Sequence, residues 1–399
     1  MDPLTGSVQH YAWGSTTALP AFLGVEPDGR PQAELWLGAH ESAPSLLGDR
    51  SLAAVIAADS DGVVGEAAVA EFGPQLPYLL KVLAAAQPLS LQAHPSRGGA
   101  EAGFAREEEA GLERSAPTRL YRDDWPKPEM LVALGDVEAL CGFREPDETY
   151  ALVVRLGVPA ATDLVAPLQG GGPDQLAEVF ARVLGLAEGE RGVVAQVVTA
   201  AAELIGSGEG AIDAELGRFA RTAVELDEHY PGDPGVLAAL LMNRMGFGRF
   251  QGLFLPAGNL HAYLHGIGVE IMANSDNVMR GGLTPKHVDV SELLAILDFT
   301  PGVPALVEVV EESAGVWRYR TPAPEFALWR VDAGTVPVSV PAADSGRIVL
   351  VIEGPVEVSD GSTSLTLVQG ESVFGYPGDV LTVTGTGGTG TVMVAAPGI

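Results

Sequence analysis

The chain has 399 residues, 47% of them hydrophobic, a formal net charge of −29 and a single cysteine, Cys141. That charge excludes nucleic acid and anionic membrane surfaces as partners, because either would be repelled across most of the molecule. One cysteine excludes internal disulfides and cysteine-built metal sites, so any metal must be held by nitrogen and oxygen, and a reducing, cytoplasmic setting is expected.

The length suggests two to three domains. The N-terminal MDPLTGSVQHYAWGS has no basic stretch leading into an apolar one, and no run nears the ~20 apolar residues that span a bilayer. A monomer without a membrane partner is the expectation.

From Ala33 to about Phe143 short apolar runs alternate with Gly, Pro and Asp turns, which predicts strands, with some helix near Ser51 to Val69. In PLSLQAHPS, Gln92 and His94 stand two apart; alternate residues of a strand share a face, so the two can share one ion. The acidic run Glu107 to Glu109 reads as a solvated helix face. In WPKPEM, Pro126 and Pro128 hold the backbone extended, so Lys127 and Glu129 project together.

Residues 145–245 are rich in Ala, Leu, Val and Glu at helical spacing, as in DQLAEVFARVLGL and AIDAELGRFARTAVELDEHY. Within them Gly170 to Pro173 lacks the Lys-Ser/Thr of a phosphate-binding loop and reads as a linker. His229, at a predicted helix end, reads as structural. Strand signals return in GRFQGLFLPAGNLHAYLHGIGVEIMANSD, so the helices form an insertion in a β-domain made of residues 1–144 and 246–314. There His261, Tyr263 and His265 line one face if the strand runs straight. Residues 315–399 carry frequent turn signals and predict a β-domain of their own. No histidine follows His287, so this last domain is assigned a structural role.

Two imidazoles, a carboxylate and an amide oxygen, from His94, His261, Glu129 and Gln92, form an N/O set suited to one Zn²⁺ per chain, with Mn²⁺, Fe²⁺ and Co²⁺ as competitors. Six of the seven histidines lie outside the helical insertion, which favours a site on the strands. Of 23 basic residues only Lys81, Lys127 and Lys286 are lysine, which points to positions where a compact ammonium is needed.

PAGNLH fits the Pro-x-Gly-x-x-His signature of the cupin superfamily, with Gln92-x-His94 where many cupins have His-x-His. QHYAWGS, LPYLLKVLAAAQPLSLQAHPS, KPEM and GVEIMANSDNVMRGGLTPKHVDV together resemble type I mannose-6-phosphate isomerase over about three quarters of the chain, the helical insertion excepted. The resemblance implies a mainly β fold of two cupin-like jelly-roll β-barrels plus an α-helical domain. It also implies zinc on Gln92, His94, Glu129 and His261, and interconversion of mannose 6-phosphate and fructose 6-phosphate through an enediolate. Arg280 falls on the position usually given as catalytic, and Lys127, Tyr263, Glu270, Asp276 and Lys286 on pocket positions.

Lys127, Glu270, Asp276, Lys286 and Tyr263 are all candidates for proton transfer, and only distance and local pKa can rank them. Ser90, Lys286 and Arg280 form the expected phosphate group, and Trp13 a pocket wall. Simpler readings stand beside these: Glu270 as a buried structural carboxylate, Asp276 and Asn277 as a turn, Glu34 and His40 as structural residues. Two other functions compete, an iron dioxygenase using His94, His261 and Glu129, and a non-catalytic sugar-binding cupin.

Overall fold

The computed structural model describes residues 1–207 and 213–399. The expected helix AIDAELGRFARTAVELDEHY therefore has Ala211 and Ile212 outside the described residues, and it is helical over Ala214–His229. No helix among the described residues is long and apolar enough to cross a membrane.

Two large antiparallel sheets dominate. In the first, the order is Met242–Phe247, Val137–Phe143, His261–Ala273, Tyr78–Ala85, Glu34–Gly38 and Ser7–Gln9, with Gln92–Ala93 and Glu129–Ala133 also pairing with the long His261–Ala273 strand. That strand organises the site. Its start lies beside Gln92 and Val137–Phe143, and its end beside Tyr78–Ala85 and Glu129–Ala133.

Strict alternation sorts the side chains. Tyr78, Leu80, Val82, Met130, Val132, Val269 and Ile271 join Ile348, Phe374 and Met393 of the second sheet in a shared core. Each such side chain contributes roughly 1.5–3 kcal/mol by leaving water. Leu83, Ala85, Leu131 and Ala133 point the other way, into a cluster with Cys141, Leu255 and Tyr263. By the same pleat, Lys81, Glu129 and Glu270 face that second side.

The second sheet runs from Val309–Ser313 through Ala327–Ala333, Gly390–Ala396, Arg347–Glu353 and Ser372–Gly375 to Asp2–Thr5 and the short strands Leu46–Leu47 and Arg50–Ser51. The C-terminal β region is therefore not built from residues after Gly315 alone. Asp2 pairs with Phe374 and Leu4 with Ser372, so the chain start covers the edge that the Ser372–Gly375 strand would otherwise leave unpaired.

Helices from Pro146–Leu156 to Gly235–Leu240 lie between two strands that pair with each other, Val137–Phe143 and Met242–Phe247. The sequence placed Met242 to Met245 with the helices, but these residues carry ladder bonds to the neighbouring strand. The helices form where a stripe of spacing three and four can be buried, as with Leu176, Val179, Phe180 and Val183. Asp213 caps Ala214–His229 by accepting from the Leu216 N–H. Tyr230 then ties that helix to the site strands, its hydroxyl donating to the Pro88 carbonyl at 2.7 Å.

In the acidic run Glu108 and Glu109 are exposed, as expected, but Glu107 is not. Glu107, at the end of helix Arg97–Glu109, accepts the N–H groups of Leu120 (3.1 Å) and Tyr121 (2.9 Å) and lies 3.4 Å from Arg119 Nε. It anchors the loop that carries Arg122 rather than facing solvent.

Candidate metal centre

His94, Glu129 and His261 are all buried, and their ligand atoms lie within 4.8 Å of one another. Glu129 Oε2 is 3.3 Å from His94 Nε2 and 3.3 Å from His261 Nε2. The opposite ring nitrogens fix the tautomers. His94 Nδ1 is 2.7 Å from the Asn277 carbonyl and His261 Nδ1 is 3.1 Å from the Asn259 carbonyl; a carbonyl only accepts, so each Nδ1 carries the proton. Both Nε2 lone pairs then face a carboxylate oxygen, and none of the three atoms has a hydrogen-bond partner.

Three inward acceptors without a donor are repulsive and costly to bury unless a cation sits among them. Burial keeps His94 neutral by lowering its pKa to about 4. Burial also opposes charge on Glu129, but the Lys127 ammonium, 3.1 Å from Oε1, helps to hold the carboxyl well below the carboxylate range. The donors, tautomers and charge fit a divalent metal.

Backbone conformation delivers these groups. Gly258, in PAGN, has φ +78°, and a Cβ there would meet the Ile296 carbonyl at 2.8 Å. Its N–H donates to the His94 carbonyl at 2.9 Å, tying the turn before His261 to the other imidazole. Gln92 is half-buried, and it pairs in register with His261 on one side and Arg280 on the other. Directly opposed residues share a face, so register brings the amide beside the metal ligands.

A second set of charges adjoins the first. Lys81 is buried between Glu34 (3.6 Å) and Glu270 (3.3 Å), with its Nζ over the Trp36 ring. Burial works against the ammonium, but Glu34, Glu270 and Glu129 together raise its pKa, so it stays charged. Burial raises the Glu270 carboxyl despite Lys81, aided by the charges of Glu129 and Glu34. Tyr263 is buried with an unpartnered hydroxyl, and burial followed by Glu270 and Glu129 holds its phenol well above the usual value.

Trp13 is half-buried, packs on the cluster containing Tyr263 and stacks on Tyr11 with ring centres 5.8 Å apart. Ser90 precedes Leu91, whose carbonyl accepts the Gly281 N–H at 2.8 Å, which sets it alongside the Arg280 segment. Burial, then the charge of Arg280, lowers the pKa of Lys286.

Asp276 is more than a turn residue, since its Oδ1 lies 3.3 Å from His40 Nε2, and the hydrogen bond to His40 holds its carboxyl low. Glu34 and His40, read as structural, thus adjoin the site. His265 does not. A register shift between Tyr263 and His265 turns the latter outward, where it lies 3.7 Å from Glu138. Gly266 follows at φ +121°, a conformation reserved for glycine.

Lys81 was missed as a site residue. Its only signal was the scarcity of lysine.

Comparison with known proteins follows the same lines. Residues 1–146 match the family described as phosphomannose isomerase type I, catalytic domain. Mannose-6-phosphate isomerase of Escherichia coli (strain K12) is 38% identical over 383 residues, which is 94% of each chain. The Homo sapiens protein of that name is 31% identical over 388 residues, covering 90% of this chain and 89% of its own. A crystal structure of mannose 6-phosphate isomerase from Salmonella typhimurium, bound to fructose 6-phosphate and zinc, matches with a TM-score of 0.89 and 34% identity over 100% of both chains.

Proposed function

The chain belongs to the type I phosphomannose isomerases, and from that premise we propose that the pocket around His94, Glu129 and His261 is where D-mannose 6-phosphate and D-fructose 6-phosphate are interconverted. The chain is a zinc-dependent aldose-ketose isomerase working by proton transfer through an enediolate. What carries the site assignment is the trio of buried, unpartnered acceptors on His94, Glu129 and His261. Gln92 supplies the fourth ligand in this reading. Bound there, zinc acts as a Lewis acid and orienting template for the sugar oxygens.

The reaction takes a proton from the carbon beside the carbonyl and returns it to the neighbouring carbon. Glu270 is our choice for that transfer, because its raised pKa brings it nearer to working pH, where a carboxylate can both accept and return a proton. Lys81 holds Glu270 in place by its ion pair. The Tyr263 hydroxyl, kept protonated, and the Lys127 ammonium donate to oxygens that gain negative charge. Asp276, ionised beside His40, accepts from sugar hydroxyls. Arg280 reaches from Gln92 towards the phosphate, which it holds through its guanidinium fork together with Lys286 and Ser90. Trp13 closes one wall.

A dioxygenase or a non-catalytic sugar-binding protein would leave Lys81, Lys127 and Arg280 without a task, and the isomerase relatives set both aside. In the same reading the two large sheets are cores of two cupin-like jelly-roll β-barrels. The catalytic one is divided by the helical domain between Phe143 and Met242, and the C-terminal one carries no metal. The chain then works as a monomer, and in the cytoplasm, where its single buried free cysteine suits a reducing setting.

The test is formation of fructose 6-phosphate from mannose 6-phosphate, which should stop on chelation and return with zinc. Glu270→Gln should lower kcat by roughly 10²–10⁴-fold with zinc content unchanged. A kcat close to wild type would move the proton transfer to another residue.

A further inference from the structure

Asn277 is a fully buried junction. Its carbonyl takes the Nδ1 proton of His94 at 2.7 Å, and its side-chain oxygen accepts the Arg122 N–H at 2.8 Å. Its amide nitrogen donates to the carbonyls of Asp123 and Trp125 at 2.8 and 2.9 Å. Three residues further on, Arg280 lies opposite Gln92. One side chain therefore sets the backbone of Arg122 in fixed relation to a metal ligand and to the Arg280 strand.

Arg122 is exposed, and among the described residues its guanidinium makes no ion pair; Asp276 senses its charge only after those of His40 and Lys127. Arg280 and Lys286 make no ion pair among the described residues either, whereas Lys81 and Lys127 are both ion-paired. These three cations feel one another. After burial, the charges of Arg280 and then Arg122 disfavour the charged form of Lys286. A chain with a net charge of −29 has carboxylates enough to pair three cations, so mutual repulsion among unpaired ones points to an external anion as the missing partner. A phosphate monoester brings ~1.5–2 negative charges and three acceptor oxygens, one for each cation.

We propose that Arg122, held by the Asn277 staple, is the third cation of the substrate-phosphate site and a determinant of specificity for phosphorylated over free sugar. The inference rests on the isomerase reading above and extends its phosphate group of Ser90, Arg280 and Lys286. Because the Arg122 side chain makes no hydrogen bond or ion pair among the described residues, its replacement should leave folding and the metal centre intact.

The experiment compares wild type, Arg122→Gln and Arg122→Lys as zinc-loaded full-length protein. KM for mannose 6-phosphate should rise about ten-fold in Arg122→Gln, equivalent to about 1.4 kcal/mol, with kcat and zinc content unchanged. Competitive inhibition by inorganic phosphate should weaken by the same factor, whereas inhibition by unphosphorylated mannose should not move. Arg122→Lys should recover most of the loss. Wild-type values of KM and phosphate inhibition in Arg122→Gln would overturn the inference, as would equal losses of affinity for mannose and its phosphate. If wild type failed to isomerise the phosphosugar, the functional reading would fall separately, and calorimetric binding of inorganic phosphate to wild type and Arg122→Gln would still decide the role of Arg122.

Discussion

Both large sheets bury one face against the other, through Tyr78, Leu80 and Ile271 on one side and Ile348, Phe374 and Met393 on the other. They part company on their second faces. In the C-terminal sheet that face carries Val349, Val351, Val373, Val392 and Val394, and the fully buried Arg347 donates through its two terminal nitrogens to the backbone carbonyls of Ala342, Ser345 and Asp379, with Nε left unpartnered. In the other sheet the corresponding side gathers Lys81, Glu129, His261 and Glu270, with His94 and Lys127 at its margin, all buried. A pleated sheet offers the same alternation in both cases. Filled with valine, a face adds stability; filled with charge, it needs mutual pairing and a metal to offset desolvation, and becomes reactive.

The sharpest way to break this contrast is to substitute on each face in turn. Glu129→Gln removes the only anionic member of the trio, so zinc should be lost and kcat/KM should fall roughly a thousand-fold or more, which corresponds to several kcal/mol of charge stabilisation; retained zinc with near-normal turnover would contradict the assignment. In the shared core, Phe374→Ala should lower unfolding free energy by about 3–5 kcal/mol while kcat stays at its wild-type value below the transition. Urea unfolding with parallel assays checks it, and a selective loss of kcat would blur the distinction between the two regions.

Asn277→Ala lies between these extremes. It leaves His94 its carbonyl partner but frees the Arg122 loop, so zinc affinity should drop about 10–100-fold, as for other groups that orient ligands. Titration with a zinc chelator would measure that drop, and an unchanged affinity would reduce Asn277 to a turn residue.

The smallest effect concerns Cys141, whose thiol burial pushes up from 9.0 to about 12. Its contribution to stability is fully present below pH 9.0 and is lost as pH rises through about 12. At pH 8 a thiol reagent should label the protein only after unfolding; rapid native labelling would show that this part of the metal side is open.

Much of the centre was legible because its residues sit in short motifs where local geometry decides direction. Two prolines aim Lys127 and Glu129, and Gly258 makes the turn before His261. What stayed hidden depends on register between distant strands. Lys81 becomes a site residue because it pairs with Trp36 and Glu270, and nothing within Leu76 to Ala86 specifies those partners. His265 was misplaced because a register shift interrupts a strand that reads as straight. The N-terminal strand gave no hint that it would pair with Phe374, since sheet edges recruit partners without regard to sequence distance.

Zinc-edge anomalous diffraction from crystals of the zinc-loaded protein would locate the metal and its ligands. One strong peak per chain is expected, bounded by Gln92 Oε1, His94 Nε2, a Glu129 carboxylate oxygen and His261 Nε2. A peak held by other residues, or one from which Gln92 or Glu129 is absent, would contradict the four-ligand centre.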